Sequence, residues 1–312
     1  MGKEVKVKKK SKKQLLVSYI QYFLVRTGAA KWMDDRTYLK IIYYARMGKK
    51  LNLSEPKTFN EKLQWLKLYN RNPLYTTMVD KDAVKQYITK KLGGGGYVIP
   101  TYRVWDHFDD IDFSLLPDQF VLKCTHDSGG VVIVKDKAAL DKAAAKKKLE
   151  RSLRRNYFYA GREWPYKNVK PRILAEQYLP AIEEAGLLDY KFMCFNGKVK
   201  CSFVCSERET GKLKVTFFDR EWKRMPFERH YPKSDKEIPK PQNYEEMCRL
   251  AEKLSRGIPF VRVDFYEVEG KIYFGELTFY PGCGMEEFTP ELWDYKLGEW
   301  ILLPEVKTKR RK

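Results

Sequence analysis

The segment FVRVDFYEVEGKIYFGELTFYPG, residues 260–282, constrains the fold of this chain more than any other stretch. Aromatic and β-branched residues occupy alternate positions, and polar residues fall between them, which is typical of half-buried β-strands. Val268-Glu269-Gly270 interrupts this pattern and indicates a three-residue hairpin loop with glycine in the left-handed position. We therefore predict two antiparallel strands joined by this turn.

A three-residue loop fixes the register of the two strands. It places Asp264 opposite Phe274 and Arg262 opposite Glu276, so Arg262, Asp264, Glu276 and Thr278 share one face. The other face is then apolar and consists of Val261, Val263, Phe265, Tyr273 and Leu277. A two-residue loop would move Glu276 to that apolar face, so the prediction depends on the turn.

Two interpretations of the polar face remain open at this point. One is a solvent-facing side of the sheet with an ordinary cross-strand pair between Arg262 and Glu276. The other is a metal site, because carboxylates on adjacent strands can hold Mg²⁺ together with substrate phosphates.

The formal net charge of +20 is concentrated at the two ends of the chain. Residues 1–50 contain 14 lysines and arginines against three acidic residues, and residues 305–312 contain five against one. A nucleic-acid-binding protein would need basic residues in its body, so this distribution argues against that function.

Residues 1–30 combine the lysine-rich run KEVKVKKKSKK with the apolar run LLVSYIQYFLV. The apolar run is too short to span a bilayer. Two interpretations remain: a helix lying on an anionic membrane surface, or a lysine tail followed by a helix that packs on the body. No clear cleavage site follows, apart from TGAA at residues 27–30, so we expect a cytoplasmic protein, with attachment to the inner face of the plasma membrane as the alternative.

The cysteines and histidines do not indicate a zinc site. No histidine stands at metal-ligand spacing from a cysteine pair, so any metal should have oxygen ligands. The scattered cysteines are interpreted as buried thiols of a reducing compartment: Cys124, Cys194, Cys201, Cys205, Cys248 and Cys283.

The order of predicted elements indicates an α+β chain. Helical patterns cover residues 31–50, 58–69 and 80–92. Thr58 and Glu61 form a capping box at the start of the second pattern. Four glycines follow the third pattern, and we interpret them as a C-cap and a connection. Short strands follow from Tyr97, then a helix over about 137–156, further strands, and a helix from 243 to about 256. This order favours antiparallel hairpins over a doubly wound dinucleotide-binding sheet.

Two further segments have the residue types of a nucleotide site. FVLKCTHDSGGVVIVKD places Lys123 on a strand before a glycine-rich turn, where backbone N–H groups and a lysine could cover a triphosphate. ILAEQYL places Glu176 at the end of an apolar strand, where it could face an adenine edge. Each segment alone also fits an ordinary turn or strand.

Taken together, these motifs resemble the TupA-like ATP-grasp family over about residues 35–303. The longest matching segments are PKTFNEKLQWLKLY, YAGREWPYKNVKPRILAEQY, DYKFMCFNGK and the hairpin itself. The resemblance implies an α+β ATP-grasp fold: residues 31–96 form a helical region, 97–180 a lid lobe and 181–303 a Mg²⁺-binding lobe. Residues 1–30 and 304–312 would be basic flanks.

The resemblance also implies ATP and Mg²⁺ as cofactors. Lys123 and Lys81 would contact the phosphates, beneath a lid formed by Ser128, Gly129 and Gly130. Adenine would be bound by Glu176, Gln177 and Leu179, and the ribose by Asp189.

On the same resemblance, Lys191 would lie near the phosphates and Arg262 would neutralise the transferring phosphoryl group. Asp264 and Glu276 would hold Mg²⁺. Thr278 departs from the asparagine that related ligases carry at this position. Its hydroxyl could ligate Mg²⁺ or hold a coordinated water, and the departure leaves the number of Mg²⁺ ions open.

The implied activity is a carboxylate–amine ligase that forms an amide through an acyl phosphate. The family is named after a teichuronopeptide biosynthesis protein and is met in capsule and cell-surface polysaccharide clusters, which suggests a uronic acid or acidic branch as acceptor and an amino acid or amine as partner. The basic and aromatic stretch Arg162, Trp164, Tyr166, Lys167, Lys170 and Arg172 could receive an anionic sugar or simply cover the lid.

Two alternatives belong to other reaction classes. A glycosyltransferase would use Asp110-Ile111-Asp112 for a metal–nucleotide pair, although this segment also fits a polar turn. An ATP-grasp-like kinase would use the same nucleotide residues and stop after phosphorylation.

Overall fold

The computed structural model describes residues 11–180, 188–207 and 213–305. The lysine run of residues 1–10 and the basic tail from residue 306 lie outside this description. The helices are α1 Lys12–Arg26, α2 Asp35–Met47, α3 Phe59–Tyr69, α4 Leu74–Val79, α5 Ala83–Leu92, α6 Lys142–Leu153, α7 Phe158–Gly161, α8 Tyr244–Ser255 and α9 Leu292–Glu299.

The strands begin after the helical N-terminal region. They are β1 Thr101–Trp105, β2 Phe120–Cys124, β3 Val131–Val134, β4 Ile173–Gln177, β5 Asp189–Phe195, β6 Lys198–Ser206, β7 Lys214–Phe218, β8 Glu228–Arg229, β9 Phe260–Val268, β10 Lys271–Thr278 and β11 Phe288–Thr289. The predicted α+β class is confirmed.

Local sequence signals explain the helix ends. The capping box at the start of α3 is confirmed, since Thr58 and Glu61 each accept the other's backbone N–H. Helix α5 begins at Ala83, three residues later than predicted, because Asp80 Oδ1 accepts the N–H groups of Asp82 and Ala83. Gly93 ends α5 with φ of 88°, which confirms the C-cap.

The first sheet is antiparallel, with strand order β1-β4-β2-β3. Helix α6 packs on it and starts at Lys142, where Asp141 accepts the N–H of Ala144 at 2.9 Å. Together they enclose a small core that includes Phe120, Leu122, Leu149, Ile173 and Ala175.

The second sheet has strand order β10-β9-β5-β6-β7, and every neighbouring pair is antiparallel. Helix α8 packs on β5, β6 and β9, and the largest core cluster joins this sheet to α2 and α3. Strand β7, which the sequence reading did not identify, is one edge of the sheet.

The turn between β9 and β10 differs from the prediction. Lys271 pairs with Val268, so the loop contains only Glu269 and Gly270, and both have positive φ, of 52° and 71°. Phe274 therefore lies opposite Phe265 rather than Asp264. The predicted three-residue loop was therefore wrong. The twist of a two-residue turn with positive φ at both positions matches the right-handed twist of the flanking strands, and this match favours their pairing.

A bulge then restores the predicted polar face. Gly275 and Glu276 together stand opposite Asp264 alone, and regular pairing resumes at Leu277 opposite Val263. As a result, Glu276 turns back to the face that carries Arg262 and Asp264. Tyr273, which was predicted on the apolar face, instead pairs with Tyr266 on the polar face.

All six cysteines are free thiols, and four of them are buried. Burial raises the pKa of the Cys124 thiol to about 12. Within the part of the chain that the structure describes, no helix is long and apolar enough to cross a membrane.

Candidate active site

Charged side chains line one face of the second sheet. Lys191 on β5 pairs with Asp264 on β9, and cross-strand partners share a face. Lys191 Nζ contacts Asp264 and lies 2.5 Å from Asp189 Oδ2. We call Asp189, Lys191, Arg262, Asp264 and Glu276 the charged cluster.

Arg262 connects the two carboxylates that were predicted to hold a metal. Its Nε and Nη2 donate to the two oxygens of Asp264, each at 2.7 Å, and Nη2 also donates to Glu276 Oε1 at 2.5 Å. The Thr278 hydroxyl donates to the same Glu276 oxygen at 2.9 Å. The solvent-facing interpretation is therefore excluded for Asp264, which is only 1% exposed.

Burial and charge act in opposite directions on these carboxyl groups. Burial raises the pKa of Asp264 to about 6, in spite of the neighbouring Arg262 and Lys191 cations. Burial also opposes ionisation of Glu276, but Arg262, Lys191 and Lys81 lower its pKa to about 2. Glu276 is thus held as an anion at neutral pH.

The donor atoms fit a hard cation such as Mg²⁺. Asp264 and Glu276 supply carboxylate oxygens, and Thr278 supplies a hydroxyl in contact with Glu276. Among the described residues, no group of three or more His, Cys, Asp or Glu side chains is placed to hold a metal ion. This donor set suits an ion that is shared with substrate phosphates.

A second charged group lies on the first sheet. Lys123 on β2 contacts Glu176 on β4, and Lys85 from α5 approaches the same carboxylate at 3.1 Å. Lys85 also donates to the Ile99 carbonyl at 2.9 Å. Because two cations outweigh its burial, the pKa of Glu176 is lowered, and the group is an anion.

Sequence reasoning missed Lys85. A lysine on an amphipathic helix is ordinarily solvated, and only the tertiary structure brings the Lys85 ammonium group to Thr101 on β1 and Glu176 on β4.

The segment after Glu176 joins the two sheets. Gln177 N donates to the Pro100 carbonyl at 3.0 Å. Leu179 is buried with Ile99 and Val268, and this small cluster also contacts Tyr266 and Tyr273. Leu179 is therefore an apolar contact between β9 of the second sheet and Ile99 next to β1 of the first.

Tyr266 lies within electrostatic range of carboxylates on both sheets. Asp189, burial, Glu276, Asp264 and Glu176 all raise the pKa of its phenol, so carboxylates from both sheets lie within electrostatic range of one side chain.

The glycine-rich turn is anchored at its base and exposed at its tip. Lys81 N donates to the Thr125 carbonyl at 3.0 Å, and Lys81 Nζ donates to the Asp127 carbonyl. Asp127 also accepts from Ser152 on α6 at 2.6 Å. Ser128 and Gly129 are exposed, whereas Gly130 is buried and lacks room for a Cβ atom.

Arg229 is a further buried cation that sequence reasoning did not single out. Its guanidinium carbon lies 4.8 Å from the centre of Phe203, and that of Arg262 lies 5.8 Å from the same ring. Phe203 pairs with Lys191, so Arg229 covers the same sheet face as the charged cluster. Its Nε lies 3.0 Å from Glu286, whereas its buried Nη1 has no hydrogen-bond partner among the described residues.

The basic and aromatic stretch does not converge on one site. Arg162 is buried against Tyr38 and pairs with Asp35 at 2.9 Å. Lys170 pairs with Asp106, and Arg172 pairs with Asp80 and Asp82. Arg162 is thus committed to a buried contact, whereas the pair between Lys170 and Asp106 is exposed.

The Asp110-Ile111-Asp112 segment forms a polar turn, one of the two readings of its sequence. Asp112 caps a short 3₁₀ helix by accepting the N–H and the hydroxyl of Ser114, at 2.9 and 2.6 Å, and Ile111 is buried.

Several solved structures are similar to this chain at low sequence identity. Among similar solved structures, D-alanine–D-alanine ligase from Bacillus anthracis complexed with ATP has 16% identity and a TM-score of 0.36, with 65% of this chain and 54% of that chain covered. A RimK domain ATP-grasp protein from Sphaerobacter thermophilus has 15% identity and a TM-score of 0.40, with 75% and 71% covered. The chain thus spans about half the length of the Bacillus ligase.

Sequence comparison gives a more specific result. No curated protein sequence matches the chain. The TupA-like ATPgrasp family model matches residues 61–302, a region that includes both charged groups and the glycine-rich turn. The chain therefore belongs to the TupA-like ATP-grasp family and has the ATP-grasp fold.

Proposed function

We propose that the protein is an ATP-dependent carboxylate–amine ligase that works with Mg²⁺. The observation that carries this proposal is the position of Arg262, which bridges Asp264 and Glu276 on one sheet, while Lys123 and Glu176 form a second charged group on the other sheet. A triphosphate needs cations along its length and a metal between carboxylates and phosphate oxygens. This arrangement supplies both.

The proposed nucleotide contacts follow the two sheets. On the lid lobe, residues 97–180, Lys123, Lys81 and the turn Ser128-Gly129-Gly130 contact the phosphates, and Lys85 joins them through Glu176. Glu176, Gln177 and Leu179 bind adenine between the lobes. On the second lobe, residues 181–303, Asp189 binds the ribose.

The remaining roles belong to the charged cluster. Asp264 and Glu276 would hold Mg²⁺, with Thr278 supporting Glu276, and the ion would offset the charge on the phosphates. Arg262 pairs with Asp264 and Glu276, and Lys191 pairs with Asp189 and Asp264. Both cations would be shared with the transferring phosphoryl group.

The proposed reaction needs positioning and charge neutralisation but no side-chain nucleophile. A carboxylate oxygen of the acceptor attacks the γ-phosphorus of ATP, and ADP leaves with the bridging oxygen. An amine then attacks the acyl carbon, loses a proton and displaces phosphate, which gives an amide. In this proposal the charged cluster faces the site at which negative charge develops in both steps.

Arg229 supports a carboxylate as the acceptor. It lies beside the charged cluster on Phe203, and Nη1 retains an unused donor in a buried position. A buried guanidinium donor without a partner is costly unless a ligand anion completes it. We propose that Arg229 orients the acceptor carboxylate, which in this family would be a uronic acid or acidic branch of a cell-surface polysaccharide or its precursor.

The test is incubation with ATP, Mg²⁺ and a panel of uronic acids and amino acids, with ADP and phosphate followed separately. Phosphate release that requires both a carboxylate and an amine supports the ligase. ADP formation with a stable phosphorylated product would indicate a kinase instead. Turnover of a nucleotide sugar without ATP would contradict both and indicate a glycosyltransferase.

A further inference from the structure

Helix α1 leaves most of its large apolar side chains exposed. Its inward side carries Gln14 and Ser18, whose side chains donate to the Ala45 carbonyl near the end of α2, each at 3.3 Å. No residue of α1 is buried. Gln14, Ser18 and the partly buried Leu24, which packs against the largest core cluster, thus face the protein.

The outward side of α1 is apolar and aromatic. Tyr19 is 71% exposed and Phe23 64% exposed, and Trp32, just beyond the helix, is 93% exposed. The other exposed large apolar residues of α1 are Leu15, Leu16, Ile20, Tyr22 and Val25. We call these eight residues the outer face of α1. A contiguous apolar surface of this kind marks an interaction site.

The positive charge around the outer face of α1 favours an anionic partner. Residues 5–33 contain eight lysines and arginines and no acidic residue. Among the described ones, Lys12, Arg26 and Lys31 are exposed beside the outer face. A second copy of the chain would bring an equal excess of positive charge to the contact, and this repulsion disfavours a dimer through α1.

We propose that the outer face of α1 lies in the interface of an anionic membrane, with the helix parallel to the surface. Aromatic and aliphatic side chains would enter the region between headgroups and acyl chains, and the flanking lysines would pair with anionic headgroups. The polar bonds from Gln14 and Ser18 to α2 hold the helix to the body, so the whole protein would be brought to the membrane.

The test is flotation of the full-length chain with phosphatidylcholine vesicles, with or without about a third phosphatidylglycerol. We expect flotation with the anionic vesicles and release at high salt. Replacing Lys8, Lys9 and Lys10 by glutamine should lower partitioning on the order of a hundred-fold, since each lysine near the surface contributes about 1 kcal/mol.

A double variant, Tyr19→Ser with Phe23→Ser, tests the apolar contribution and should lower partitioning about ten-fold or more. Its matched control is Leu115→Ser with Leu302→Ser, which removes side chains 55% and 69% exposed elsewhere on the surface. Unchanged thermal unfolding would show that both double variants fold.

Three results would overturn the proposal. The wild-type chain does not float with anionic vesicles, or it floats equally well with phosphatidylcholine alone, or the Tyr19 and Phe23 variant floats as well as the control. A dimer in sedimentation velocity that this variant dissociates would assign the outer face to a second copy instead.

Discussion

Arg262 donates to Glu276 across neighbouring strands at 2.5 Å, although the two-residue turn of their hairpin starts these side chains on opposite faces of the sheet. The bulge formed by Gly275 and Glu276 against Asp264 removes this mismatch. The charged cluster therefore depends on a local irregularity of the backbone, which is a common feature of strands beside functional sites.

The bulge should not tolerate a side chain at Gly275. A Cβ atom there would lie 3.2 Å from the Asp264 carbonyl oxygen and 3.2 Å from the Tyr266 ring. We expect Gly275→Val to lower the free energy of unfolding by about 1–3 kcal/mol and to reduce ATP-dependent turnover, because Glu276 would move away from Arg262. Urea unfolding and ADP formation measure the two effects.

Gly96→Val is the matched control for this substitution, since a Cβ atom at Gly96 meets nothing within 4 Å. A Gly275→Val protein with the unfolding midpoint and turnover of the control would show that the bulge does not position Glu276.

Lys85 should contribute to nucleotide affinity. It approaches Glu176 at 3.1 Å and Thr101 Oγ1 at 2.5 Å, where the nucleotide is proposed to bind between the lobes. We expect Lys85→Met to raise the Kd for ATP about ten-fold, or about 1.4 kcal/mol. Lys90→Met, on the exposed side of the same helix, should leave the Kd unchanged; equal Kd values for both variants would contradict the assignment.

Arg229 should affect the acceptor rather than ATP. With a carboxylate that supports turnover, Arg229→Gln should raise the KM for that carboxylate at least about ten-fold, because a charge-assisted hydrogen bond is lost. The Kd for ATP should change little. Arg249→Gln removes an exposed arginine as a control. A variant whose carboxylate KM equals that of the control would indicate that Arg229 only stabilises the fold.

Glu163 should make stability depend on pH. Burial raises the pKa of its carboxyl group to about 7, even though Lys67 lies close to it, and Cys283, Arg46 and Glu276 are the other groups that act on it. The folded state therefore retains a proton that the unfolded state releases above its ordinary pKa of 4.5. Stability from this group is present below about pH 4.5 and is lost as pH rises towards 7.

The variant Glu163→Gln should remove this part of the pH dependence, on the order of 3 kcal/mol between pH 5 and pH 8. Urea unfolding of both proteins across this range measures the difference. If wild type and variant lose stability in parallel as pH rises, Glu163 is not the group that titrates.

The polar face of the hairpin could be predicted from alternation, because a side chain's face follows from its position along a strand. The turn and the bulge could not be predicted in the same way. The loop is one residue shorter than predicted, and the bulge adds one unpaired residue to β10. The two differences cancel at Glu276, which therefore lies on the predicted face although the predicted loop length was wrong. Tyr273, which lies between the turn and the bulge, shows the error directly.

Lys85 and Arg229 could not be identified as site residues from the sequence. Both are ordinary charged residues in their local sequence, and their positions depend on packing between distant segments. Lys123 and Glu176 were identified because each stands out as a charge in an apolar strand. Arg162 shows the opposite case. Its position among aromatic residues suggested that it could bind an anionic sugar, but its side chain is buried in an ion pair with Asp35. The boundaries of the two lobes stay predictions.

The most direct test of the proposed site is ADP formation from ATP and Mg²⁺ by Glu276→Gln and Asp264→Asn, compared with wild type under conditions that support turnover. Both substitutions keep the shape of the side chain and remove an anion that Arg262 binds. We predict loss of ATP-dependent turnover by at least about a hundred-fold, with a far-ultraviolet circular dichroism spectrum like that of wild type. Turnover at the wild-type rate in either variant would contradict the assignment of these carboxylates to the Mg²⁺–ATP site.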